Sequence, residues 1–98
     1  MADKYETIHV LILGRVQGVW YRAWTVEEAR MHQLDGWVRN RRDGAVEAVF
    51  SGPSDQVAEM IVACRTGPPL ARVDDIQVSA ETTETVEKGQ GFRAKETV

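Results

Sequence analysis

The sequence predicts an α+β sandwich, an antiparallel sheet with two helices packed on one face, and three observations carry that expectation. An apolar run at residues 8–13 leads into a helical pattern. Asp43-Gly44 joins two further runs into a hairpin, and a second helical pattern closed by Gly67-Pro68-Pro69 leads to another strand. The resulting β-α-β-β-α-β order is the split β-α-β unit of the ferredoxin-like fold, in which the first and third strands lie side by side and the second flanks the third.

The elements follow in order. Residues 1–7 are polar, and a loose tip is expected. Ile8-His9-Val10-Leu11-Ile12-Leu13 is apolar on both faces, as a central strand covered by helices on one side and partly by loops on the other requires. His9 has no second histidine or cysteine at ligand spacing, so a packed or solvated role is expected for it. Over residues 21–33, Tyr21, Thr25 and Ala29 fall on one helical line with Val26 beside them, and His32 stands near the terminal carbonyls.

Gly36 breaks the chain, and residues 36–51 form the hairpin. Ser54 is the expected N-cap of the second helix, whose stripe of Val57, Met60, Ile61 and Cys64 faces a sheet and makes Cys64 a core residue. Residues 71–80 form a strand with a bulge near Asp74-Asp75. Adjacent aspartates in a strand point to opposite faces and do not converge on a metal. Residues 81–90 are a polar connection, and residues 91–95 are compatible with a short fifth edge strand.

At 98 residues the chain fits one domain spanning 1–98, and its 43% hydrophobic and 28% charged content is that of a globular protein. The net charge of −3 offers no general attraction to nucleic acid or to acidic membranes. A single cysteine excludes an internal disulfide and favours a reducing compartment, and no run reaches membrane-spanning length. A cytoplasmic protein, expected to be a monomer, is the simplest reading.

The stretch Gly14-Arg15-Val16-Gln17-Gly18-Val19-Trp20-Tyr21-Arg22 joins the first strand to the first helix. Glycines allow positive φ and close backbone approach, the following helix presents its positive end, and Arg22 adds a guanidinium fork suited to two phosphate oxygens. A tight turn beside a solvated arginine fits the same spacing. Neither the Walker pattern nor the dinucleotide fingerprint is matched, so a nucleotide is not the expected ligand. Asn40, near the end of the second strand, offers both a donor and an acceptor, and it also suits a turn cap.

That stretch, followed by Gly36-Trp37-Val38-Arg39-Asn40 with Gly44, Val46 and Gly52 at their offsets, closely resembles the acylphosphatase family over the whole chain. The resemblance implies hydrolysis of a small-molecule acyl phosphate to a carboxylate and inorganic phosphate, with no metal and no cofactor. It implies that Arg22 binds the phosphate and that Asn40 orients the water. The backbone of Arg15, Val16, Gln17, Gly18, Val19 and Trp20 matches the family's phosphate cradle, with Gly14 and Thr25 in support. Trp20 and Trp24, on one side of the helix front, either line a pocket mouth for the acyl group or pack over the core edge. His32-Gln33 stands where relatives often carry Leu-Gly, so a different helix ending is expected.

Two other classes are weaker. A nucleic-acid-binding module of this fold lacks its aromatic platform in residues 45–51, and a metal-dependent phosphatase lacks clustered carboxylates. A non-catalytic domain of the same family, holding phosphate or carbamoyl phosphate without turnover, is the alternative.

Overall fold

A computed structural model describes residues 4–80 and 86–98. Its elements are β1 (Tyr5–Arg15), α1 (Tyr21–Met31), β2 (Asp35–Asn40), β3 (Val46–Pro53), α2 (Ser54–Thr66), β4 (Arg72–Ser79) and β5 (Phe92–Ala94). The sheet order is β4-β1-β3-β2-β5, so β1 and β3 are adjacent and β2 flanks β3, as the β-α-β-β-α-β order requires.

Side chains alternate across the sheet. Ile8, Val10 and Ile12 of β1 stand opposite Phe50, Ala48 and Val46 of β3, all buried toward the helices. α1 lies over β2 and β5, and α2 over β3 and β4. Tyr21, Ala29, Val57, Met60 and Cys64 complete the core from the helix side. The 8-residue β3 is buried on both faces over nearly its whole length because long side chains close over the open face. There Trp37 is covered by Arg39 and Lys95, each with its cationic group 4.6 Å from the ring centroid.

Three details differ from the sequence expectation. Tyr5, Glu6 and Thr7 extend β1 by pairing with Pro53, Gly52 and Ser51, while residues 1–3 of the expected loose tip lie outside the described residues. Ser54 is the first residue of α2 and Pro53 its cap, because the Ser54 amide is drawn 2.7 Å to the Lys4 carbonyl. The fifth strand exists but runs parallel to β2, so the sheet is mixed. The expected 81–90 connection falls partly outside the described residues; Gly89 at its described end, and Gly91 just beyond it, donate their amides to the Asp35 carboxylate at 2.8 Å.

The bulge lies where the paired aspartates placed it. Leu13 pairs with Asp75 and Gly14 with Val73, leaving Asp74 unpaired. A Cβ at Gly14 would meet the Arg72 carbonyl oxygen at 2.3 Å, so this glycine serves the close approach of two strands.

Candidate active site

Arg22 and Asn40 line one cavity of about 480 Å³, together with Val16, Gly18, Trp20, Tyr21, Ala23 and Ala94. Three segments converge there: the β1–α1 turn, the end of β2, and β5.

The turn is anchored by what flanks the glycine. Val16 and Val19 bury their side chains in the core, which fixes the backbone on both sides of Gly18. Gly18 takes φ 74°, the left-handed region that glycine enters without a steric cost. Trp20 takes φ 67° and ψ 20° as the residue before α1, and no side chain caps the helix. Among the described residues the amides of Val16 to Trp20 have no backbone carbonyl partner. An uncapped N-terminus exposes orphan donors and the positive end of the helix dipole.

Arg22, in the first turn of α1, is exposed, and among the described residues no carboxylate pairs with it. Asn40 pairs with Val46 in the ladder, which turns it toward the helix-covered face of the sheet. Its carbonyl accepts a hydrogen bond from the Val98 amide at 3.1 Å, and Val98 in turn accepts from Arg42 at 2.8 Å. The end of the chain thus continues the β5 edge along β2 and pins the residues around Asn40.

The remaining expected site residues divide. Arg15 closes β1 opposite Arg72, and Gly14 belongs to the bulge, so the open turn begins at Val16. Gln17 directs its side chain away from the cavity and donates to the carbonyls of Arg41 and Ala45. Thr25 is fully buried, off the cavity, with its hydroxyl donating 2.7 Å to the Tyr21 carbonyl. Trp24 packs at the core edge with its ring 5.3 Å from that of Tyr21, whereas Trp20 lines the cavity and is 78% exposed. Ala94 is a lining residue that carries no chemical signal, and only the position of β5 brings it there.

Below the site, Tyr21 donates its hydroxyl 2.6 Å to the Cys64 carbonyl. Burial, with the neighbouring Cys64, pushes the Tyr21 phenol up, and burial pushes the Cys64 thiol up to about 12, so neither group ionises at neutral pH. Cys64 is core, as its place on the α2 stripe predicts. His9 binds Glu47 at 2.5 Å on the open face of the sheet, away from the cavity. Among the described residues no group of three or more His, Cys, Asp or Glu side chains is arranged to hold a metal.

A ferredoxin-like sandwich whose Arg22, with no carboxylate partner among the described residues, stands beside an uncapped helix start is a small domain of the class suited to holding an oxyanion. The family model described as Acylphosphatase matches residues 8–94. An acylphosphatase of Rhizorhabdus wittichii is 56% identical, over 99% of this chain and 97% of its own. One of Rhodospirillum rubrum is 61% identical over 76% of this chain and 81% of its own. The solved structure of an acylphosphatase from Coxiella burnetii superposes with a TM-score of 0.83 at 34% identity, covering 93% of each chain. The chain belongs to the acylphosphatase family.

Proposed function

We propose that this protein hydrolyses acyl phosphates to a carboxylate and inorganic phosphate. The observation that supports the reading best is that Arg22 and Asn40, from different elements, line one cavity with the Gly18 turn in a chain of this family. In this reading the backbone of residues 16–20 and the Arg22 guanidinium hold the phosphoryl oxygens, with Arg15 of the expected 15–20 cradle closing β1 instead, and the Asn40 carboxamide holds a water in line with the phosphorus. Gly14 and Thr25 act indirectly, through the bulge and through the first turn of α1.

The chemistry needs little more. An acyl phosphate is a mixed anhydride whose leaving carboxylate is already stable as an anion, so no general acid has to protonate it. The phosphoryl group is anionic, and its transition state spreads charge over oxygens that fixed positive partners stabilise. An arginine directed at a transferring phosphoryl group contributes on the order of 10³-fold or more in rate. Asn40 is no base. Its contribution is orientation, and the proton of the attacking water passes to a phosphate oxygen of the substrate. Neither a metal nor a cofactor is required. We take the protein to be a monomer, and we place it in the cytoplasm on its single, buried cysteine. No described helix is long and apolar enough to cross a membrane.

Phosphate release from benzoyl phosphate, with and without EDTA, tests this reading. Release undiminished by the chelator is expected, and loss of release on chelation would replace the mechanism with a metal-assisted one.

A further inference from the structure

The indole of Trp20 is exposed in the cavity that Arg22 and Asn40 line. A lone exposed apolar side chain needs no explanation in itself. Three observations set this one apart. Trp24, one turn on, is packed against Tyr21 and the core edge, whereas no ring or cation is stacked on Trp20 among the described residues. Its backbone is held at φ 67°, where bulky residues are rare, so its Cα is fixed by the same turn that forms the cavity floor. The cavity lining also includes Val16, Ala23 and Ala94, all apolar.

The volume leaves room for an acyl group. About 480 Å³ falls within the roughly 300–1,000 Å³ typical of pockets for small organic molecules, more than a phosphate ion alone would fill. With the phosphoryl group against the turn and Arg22, the acyl group occupies the rest of the cavity, whose lining includes the exposed Trp20 indole.

From this geometry, and resting on the hydrolytic reading above, we infer that Trp20 is a specificity-determining residue that stacks on the acyl group and selects aromatic acyl phosphates over small aliphatic ones. An aroyl group presents a flat ring that stacks offset on an indole, and an acetyl group presents a single methyl.

The test compares kcat/KM for benzoyl phosphate and acetyl phosphate in the native protein, Trp20→Phe and Trp20→Ala. Damage to the turn itself lowers both values alike and cancels in their ratio. The benzoyl-to-acetyl ratio is expected to fall roughly three- to tenfold in Trp20→Ala, and Trp20→Phe, which keeps a flat ring, is expected to stay within about twofold of the native ratio. An unchanged ratio in Trp20→Ala overturns the inference, as does an equal loss in both variants. Absence of phosphate release from either substrate by the native protein would instead overturn the hydrolytic reading, and this inference with it.

Discussion

The side-chain amide of Gln17 lies 2.7 Å from the carbonyl oxygen of Arg41 and donates to it. The same nitrogen donates to the Ala45 carbonyl at 2.8 Å. One carboxamide therefore ties the turn that follows β1 to both sides of the β2–β3 turn, the hairpin whose first strand ends at Asn40. This bridge, beside the sheet, holds the turn next to the hairpin end that carries Asn40.

Gln17→Ala is accordingly expected to lower kcat for an acyl phosphate by about tenfold while costing about 1–2 kcal/mol of stability, the scale of two lost hydrogen bonds. Gln17→Glu should be worse, because a carboxylate cannot donate to either carbonyl. Steady-state kinetics beside urea unfolding separates the two effects. A kcat within twofold of native in Gln17→Ala would show that the bridge does not position the site.

On the open face, Glu47 is buried between His9 at 2.5 Å and Arg39 at 2.7 Å, with Arg41 at 3.7 Å. Burial alone would raise its pKa. The hydrogen bonds from His9 and Arg39, and their charges, outweigh that and hold the carboxyl below the usual glutamate value. A depressed carboxylate stabilises the fold above its unfolded-state pKa, and that contribution is lost as pH falls through the lower folded-state value. Native stability should therefore decline on acidification below about pH 4.5, and less steeply in Glu47→Gln. Glu47→Ala, which strands Arg39, is expected to cost about 2–4 kcal/mol at neutral pH. Urea midpoints across pH 3–7 give both numbers, and parallel acid declines in native and Glu47→Gln would contradict the assignment.

The end of α1 is built around a side chain in an unfavourable place. Leu34 donates to Ala29 and Gln33 to Arg30, the paired bonds of a Schellman motif, and Gln33 takes φ 57° where glycine is usual. The departure at His32-Gln33 thus leaves the helix ending intact at the expense of strain. Gln33→Gly is expected to stabilise the fold by about 0.5–1 kcal/mol, read as a higher thermal midpoint. A lower midpoint would mean that the Gln33 side chain makes a compensating contribution.

Most of the fold was legible because its signals are local. The Asp43-Gly44 turn, the Val57-Met60-Cys64 stripe and the bulge near Asp74 each follow from the φ preferences or periodicity of a few residues. The parallel pairing of β5 was not legible, since Gly36 to Val38 meet Phe92 to Ala94 across more than half the chain. The site divides similarly. Arg22 and Asn40 stand out by chemistry, but the two tryptophans separate only once Tyr21 takes Trp24 as its neighbour. Gln17 looked like a backbone element of the turn, and its side chain acquires a partner only when the hairpin folds beside it. Gly14 also meets a demand that only the pairing of β1 with β4 reveals, the close approach of the Arg72 carbonyl at the bulge.

In the proposed mechanism Arg22 holds the phosphoryl group and Asn40 holds the water. The direct measurement is kcat with benzoyl phosphate beside the inhibition constant of inorganic phosphate in Arg22→Ala and Asn40→Ala. Arg22→Ala should lose both turnover, by on the order of 10³-fold, and phosphate inhibition. Asn40→Ala should lose turnover by at least about a hundredfold while phosphate inhibits it as it does the native protein. A near-native kcat in Asn40→Ala, or undiminished phosphate inhibition in Arg22→Ala, would contradict the account.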